Sequence, residues 1–367
     1  MTNKRILLFA DKLYPFFGGM EVHGDYFIKN YKKSTNYPLK AIITKGVLDN
    51  DVLIQDDTYT DIALNDFYKY STWTPEIVFF NSGKWIEELE LIRSLFPSAL
   101  LIYRTGGNEI IKAPLVKQSI FSHYKRQLFW ANQINKNIDI LITNSLYTEK
   151  RLSEVGIDSK KFRRCVGGVD YEYTKSRQKE LNDSTNRVFL CASRFVPYKN
   201  HDLIFDVFNQ IKMNGLSFTL NLIGDGILFD SVKKKVNGLG LQHSVNLIGA
   251  KSNHQVIDEM MRSDYFIQFS TEFETEVLGG KYIHAEGMGR SIIEAISCGT
   301  YVISTDKGAI SEIVNDNCGI LVDLNSFSTI VRTIEELIIK PTPIRKPSDI
   351  YSWDNYFKKY NDIFDEK

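Results

Sequence analysis

Only four cysteines occur in the 367 residues of this chain. Cys165, Cys191, Cys298 and Cys318 show neither metal-site pairs nor a disulfide framework, so buried free thiols in a reducing compartment are expected. Net charge is also missing: 45 Lys and Arg balance 45 Asp and Glu. That balance argues against a nucleic-acid binder. No apolar run approaches the roughly 20 residues of a transmembrane helix. Lys4-Arg5 precede only the short run Ile6 to Ala10, which Asp11 ends, so no signal peptide is expected and the cytoplasm is the expected location. His23, His123 and His284 stand alone in sequence and read as packing residues. No Gly-x-Gly-x-x-Gly follows the first apolar run, which disfavours a dinucleotide dehydrogenase.

What is present is an ordinary globular composition, 43% hydrophobic and 25% charged, in a chain long enough for two cores. Residues 1–183 carry 26 basic against 22 acidic side chains, and residues 184–367 carry 19 against 23. Short apolar runs at Ile6–Ala10, Lys40–Thr44, Ile77–Phe80, Leu100–Tyr103 and Ile138–Thr143 read as buried parallel strands. Helical patterns lie between them, including Met20–Tyr31, Trp85–Phe96 and Tyr147–Val155. A polar stretch, Tyr171–Arg187, reads as a linker. The alternation resumes with strands Val188–Ala192, Phe218–Ile223, Val245–Ile248, Tyr265–Phe269 and Tyr301–Ser304. Helices His201–Met213, Phe229–Leu239, Gln255–Arg262 and Ser326–Ile339 accompany them. Two doubly wound α/β halves follow from this pattern. Pro341, Pro343 and Pro347 then stop the last helix of the second half. Trp353, Tyr356, Phe357, Tyr360 and Phe364 make one aromatic face of a terminal helix that must be buried.

The most informative stretch is Glu286-Gly287-Met288-Gly289-Arg290-Ser291-Ile292-Ile293-Glu294. A glycine turn leading into a helix offers backbone N–H groups to a phosphate. Glu294, over a turn into that helix, can accept two hydrogen bonds from a vicinal diol such as a ribose. Phosphate, ribose and sugar hydroxyls together describe a nucleotide sugar. Upstream, Ser193-Arg194 through Lys199-Asn200 follows the first strand of the second half, where ligands of open α/β sheets bind. Arg194 offers a fork of donors and Lys199 a mobile point charge, both suited to a diphosphate. Position alone also fits two solvated loop charges.

With Gly18-Gly19-Met20-Glu21 after the first strand, Gly224-Asp225-Gly226, Cys298-Gly299 and Trp353 in the final helix, these motifs form an ordered set. The set resembles the family 4 retaining glycosyltransferases of the GT-B type. The resemblance covers nearly all of the second half and the first thirty residues, and is looser between about 45 and 135. It implies an N-terminal Rossmann-like acceptor domain at 1–183 and a C-terminal Rossmann-like nucleotide-sugar domain at 184–345. Residues 346–367 would return to the first domain, and the donor would lie in a cleft. Arg194 and Lys199 would hold the diphosphate and stabilise the leaving group, often the largest catalytic effect. Glu286, with Gly287, Met288, Gly289 and Arg290, would orient the donor, and Glu294 would hold the ribose. Gly18 and Gly19 would let backbone approach the diphosphate. The resemblance implies transfer with retention to a glycan or lipid-linked glycan acceptor in bacterial surface polysaccharide assembly. The donor base would be uridine, with guanosine next, and neither a metal nor a bound cofactor is expected.

Two departures stand out. Where the family often has His or His-Asp, this chain has Arg104-Thr105-Gly106-Gly107-Asn108-Glu109; Asn108 and Glu109 are candidate sugar or acceptor contacts, and a solvated glycine turn fits equally. The approach from Ser270 to Glu286 is also long: Thr271–Ala285 reads as an insertion, a lid or an acceptor-selecting loop. Residues 110–138 are basic and aromatic, without an acidic side chain. They suit peripheral contact with the inner face of a membrane, or a polyanionic acceptor, or an ordinary amphipathic core helix. Two rival functions remain, a GT-B sugar-nucleotide epimerase and a non-catalytic nucleotide-sugar-binding subunit. A phosphorylase would need a phosphate-site motif that is not apparent.

Overall fold

The computed structural model describes residues 4–13, 19–34, 39–45, 74–112, 120–176, 186–277, 280–343 and 345–366. The chain divides into two compact units. One comprises Met1–Gly168, Val277–Gly280 and Trp353–Lys367, and the other Val169–Glu276 and Lys281–Ser352.

The first unit is built on six strands, β1 (Ile6–Lys12), β2 (Lys40–Lys45), β3 (Ile77–Phe80), β4 (Leu100–Arg104), β5 (Ile140–Thr143) and β6 (Phe162–Arg164). They form one parallel sheet in the order β2-β1-β3-β4-β5-β6. Its helices are α1 (Gly19–Ser34), α2 (Leu89–Leu95), α3 (Asn108–Lys112), α4 (Ile120–Asn137) and α5 (Leu146–Glu154). The apolar runs are buried on both faces because helices cover both sides of the sheet. One face packs Phe9, Phe80, Trp85 and Ile134, and the other packs Leu8, Phe27 and Phe79.

The second unit opens with α6 (Tyr171–Lys175) and then alternates β7 (Arg187–Ala192), α7 (His201–Met213), β8 (Phe218–Ile223), α8 (Phe229–Gly238), β9 (Val245–Gly249), α9 (Asn253–Arg262) and β10 (Tyr265–Gln268). A two-stranded ribbon, β11 (Phe273–Val277) and β12 (Gly280–His284), comes next. It is followed by α10 (Arg290–Ser297), β13 (Tyr301–Thr305), β14 (Gly319–Val322) and α11 (Phe327–Ile339). The main sheet has the order β14-β13-β10-β7-β8-β9, again with parallel pairing.

The terminal helix α12 (Trp353–Phe364) belongs to the first unit. Trp353, Tyr356, Phe357, Tyr360, Ile363 and Phe364 are buried against the core beside β1 and α1. Among these contacts Tyr26 stacks on Trp353, with ring centroids 4.5 Å apart. Burial of this apolar face, rather than helix propensity, holds the segment in place.

Several expectations need correction. Trp85–Phe96 is not one helix: a single 3-10 turn, Gly83–Trp85, precedes α2. Ile138 lies between α4 and β5 and belongs to neither. The supposed linker starts as α6, because Asp170 caps it by accepting from the Tyr173 N–H. Thr271–Ala285 is not an irregular loop but mostly the β11–β12 ribbon.

Candidate functional site

The elements that place Arg194 and Lys199 are backbone packed on backbone. A Cβ at Gly224, whose φ is +142°, would lie 1.9 Å from the Ser193 carbonyl oxygen. Glycine there lets the loop after β8 press against the loop after β7, and the Phe195 N–H donates to Asp225 O at 2.9 Å. In the sheet order, β8 and β10 flank β7, so the connections diverge between β7 and β10, the switch point where such sheets bind ligands. The Thr271 N–H, just beyond β10, donates to Tyr198 O at 2.8 Å. Arg194 is exposed, and its Nη2 donates to the Tyr198 hydroxyl at 3.0 Å. Lys199 is buried, with its ammonium 5.4 Å from the centre of the Tyr198 ring.

Lys199 Nζ donates to Glu286 Oε1 in a largely buried ion pair. Glu286 is held from behind: its carbonyl accepts from the Ala309 N–H at 2.8 Å. A Cβ at Gly308 would fall 2.4 Å from that carbonyl oxygen, and φ there is +63°. Glycine is therefore required for this close approach. Gly287 and Met288 lead to Gly289, the left-handed N-cap of α10, which no side chain caps. Below, the fully buried Gln268 accepts from Ser291 Oγ at 3.0 Å and donates to Ser270 Oγ at 2.9 Å.

Glu294 is only 4% exposed. Its Oε1 accepts from Arg290 Nε at 3.0 Å and from Asn253 Nδ2 at 2.8 Å. Its Oε2 has no partner among the described residues. Asn253 was not singled out from sequence; it starts α9, within the Ser252–Gln255 capping box, and only the fold brings it to Glu294. The site thus unites Arg194, Lys199 and Glu286 around one switch point, with Arg290 and Glu294 along α10.

Below Lys199, His201 is buried, with its Nε2 3.0 Å from Ser193 Oγ. Burial and the neighbouring Lys199 charge lower its pKa to about 4, so the imidazole is neutral.

In the first unit, Gly18 lies outside the described residues, and Gly19 is the first residue of α1. A Cβ on Gly19 would meet no protein atom within 4 Å, so nothing described in the protein demands glycine there. Glu109 Oε1 accepts from Thr105 Oγ1 at 2.6 Å, the Gly106 N–H at 3.2 Å and the Tyr103 hydroxyl at 3.3 Å. This carboxylate knits its own turn together. Asn108 is exposed at the start of α3. In α4, Ala131 and Ile134 face the core and Lys136 pairs with Glu90, while Leu128 and Phe129 are each 44% exposed. Among the described residues no helix is long and apolar enough to cross a membrane.

Residues 172–351 match the family model for glycosyl transferases group 1. An uncharacterized glycosyltransferase of Methanocaldococcus jannaschii is 26% identical over 345 residues, spanning 89% of this chain and 86% of its own. A GDP-mannose-dependent alpha-(1-6)-phosphatidylinositol monomannoside mannosyltransferase of Mycolicibacterium smegmatis is 23% identical, over 57% of this chain and 55% of its own. The chain thus spans just over half the length of that relative. The crystal structure of Anabaena HepE in complex with UDP superposes with a TM-score of 0.73 at 15% identity, covering 99% of this chain and all of that one. Fold and relatives agree: the chain is a glycosyltransferase with the GT-B fold, and its residues 172–351 carry the match to group 1.

Proposed function

We propose that this glycosyltransferase moves a sugar from a nucleotide-sugar donor to a hydroxyl of a glycan or glycoconjugate, with retention of anomeric configuration. The observation that carries the reading is Glu294. A buried carboxylate with one oxygen held by two donors and the other open is prepared to accept from a ribose diol. Lys199, paired with Glu286 just ahead of an uncapped helix N-terminus, and Arg194, held by Tyr198 in the same loop as Lys199, are cations suited to a diphosphate. In the proposed reaction the acceptor hydroxyl attacks the anomeric carbon on the face the diphosphate leaves. The departing oxygen takes the hydroxyl proton, and Lys199 and Arg194 stabilise the charge that builds on the diphosphate. Glu286 fixes Lys199 and orients the sugar.

Uridine is the preferred base, and UDP is what HepE holds. The mannosyltransferase relative uses GDP-mannose, which keeps guanosine as the second choice. The name of that relative gives a phosphatidylinositol monomannoside as its acceptor, which supports a lipid-linked glycan as an acceptor here. The proposed reaction, in surface glycan assembly, uses no metal or bound cofactor. The test is incubation with labelled UDP-sugars. Transfer, or slow hydrolysis to free UDP without an epimerised sugar nucleotide, is expected. Lys199→Ala should lower kcat about 100- to 1,000-fold, as loss of one preorganised charge-stabilising donor does. Epimerised donor would favour the epimerase. Donor binding without turnover on any acceptor would favour the non-catalytic subunit.

A further inference from the structure

Arg104 was left unused by the donor chemistry, yet its setting is that of a ligand-binding cation. It is the last residue of β4. Its Nε donates to the Tyr356 hydroxyl at 3.2 Å, and its Nη1 donates to Met20 Sδ at 2.9 Å and to Asn81 Oδ1 at 3.5 Å. Every one of these partners is neutral. Nη2 has no partner among the described residues. The nearby carboxylate, Glu109, already accepts three hydrogen bonds within its own turn. Against its burial, the tyrosine hydroxyls and the Glu109 charge keep the guanidinium ionised, while its Nη2 is left for a ligand oxygen.

The position points the same way. In the sheet order, β1 lies between β2 and β3, so the connections diverge between β1 and β3. Asn81 follows β3 directly, and its N–H reaches Phe9 O of β1 at 2.7 Å, bridging those two strands. Its Nδ2 donates to Met20 O at 2.7 Å, at the start of α1. The guanidinium therefore lies beside a switch point and near the first turn of a 16-residue helix, whose N-terminus favours negative charge. It is also preorganised: Tyr356 contacts the Tyr360 hydroxyl at 2.8 Å, and Tyr360 contacts His23 Nε2 at 3.0 Å. The aromatic helix α12 thus fixes the tilt of the arginine fork.

We propose that Arg104, with Asn81 and the start of α1, forms an oxyanion subsite of the first unit that takes phosphate or carboxylate oxygens of a ligand. The subsite does not depend on the nucleotide reading of the second unit. Its source is a donor diphosphate, an anionic donor sugar or free inorganic anion, and the test separates these.

Full-length protein is treated with phenylglyoxal, and modification of Arg104 is mapped by mass spectrometry with pyrophosphate, glucuronate, UDP, UDP-glucose or UDP-glucuronate present. In parallel, calorimetry gives Kd for the same compounds with wild type, Arg104→Gln, Arg104→Lys and Tyr356→Phe. At least one anion should protect Arg104, and Arg104→Gln should weaken that anion tenfold or more. Arg104→Lys should restore part of the loss, and Tyr356→Phe, which keeps the charge, should stay within about threefold. A loss shared by UDP and UDP-glucose identifies the diphosphate, and a loss confined to UDP-glucuronate identifies a sugar carboxylate. Effects on pyrophosphate alone support a free-anion site even if no nucleotide binds, which would instead refute the donor reading. Unchanged affinities in Arg104→Gln for every compound overturn the subsite, whatever the labelling pattern. A lower melting temperature without affinity change would show that Arg104 only anchors α12, and would overturn it too.

Discussion

His201 holds one charge state for the site around it. The ring is buried against Phe195, with centroids 4.5 Å apart, and it bonds Ser193 at the strand end that carries Arg194. The unfolded chain takes up a proton near the ordinary pKa of about 6.5, whereas the folded ring resists until about pH 4. The unfolded state therefore binds more protons in that window. Stability is fully present above about pH 6.5 and falls as pH drops towards 4, by up to about 3 kcal/mol. Urea midpoints measured across pH 4–7 should show this slope, and His201→Asn should flatten it. At the same scale, Asn253 shows where sequence reading stops. It sits 41 residues from Glu294, and no local pattern links the two.

At the scale of elements, the loops around β7 depend on backbone contact rather than side-chain packing. Gly224→Ala places a methyl group against the Ser193 carbonyl at a backbone conformation that favours glycine. The expected cost is about 2 kcal/mol or more, read as a lower urea midpoint. Donor affinity should fall as well, because Arg194 and Lys199 lose their support. Elements with strong periodicity were legible: His201–Met213 and Phe218–Ile223 agree with the structure at both ends, and the aromatic face of the 346–367 segment falls on α12, which is shorter than that segment. The edge strands β6 and β14 were not. Phe162-Arg163-Arg164 is only partly buried at a sheet edge, so it lacks the apolar run that marks the inner strands. The β11–β12 ribbon escaped notice because its pairing is internal and its first strand, Phe-Glu-Thr-Glu-Val, has no continuous apolar run. In the site, Lys199, Glu286 and Glu294 were legible because motif spacing carries them. The Lys199–Glu286 pairing was not, since topology alone joins positions 87 residues apart.

For the whole molecule, the terminal helix makes the first unit discontinuous in sequence. Phe357 is 2% exposed and stacks on Trp353 with centroids 5.4 Å apart. Phe357→Ala should cost about 3–5 kcal/mol, the usual range for emptying a buried aromatic site, measured by chemical denaturation. If α12 were a loosely attached tail, the midpoint would hardly move. The proposal for the second unit is that it binds a nucleotide sugar through Glu294 and the Lys199–Glu286 pair. The direct test is calorimetric titration of wild type and Glu294→Ala with matched UDP- and GDP-sugars. One donor series should bind wild type, and Glu294→Ala should weaken it at least tenfold, as expected when a charged hydrogen-bond acceptor is lost. Donors that bind both proteins equally, or neither, would contradict the account.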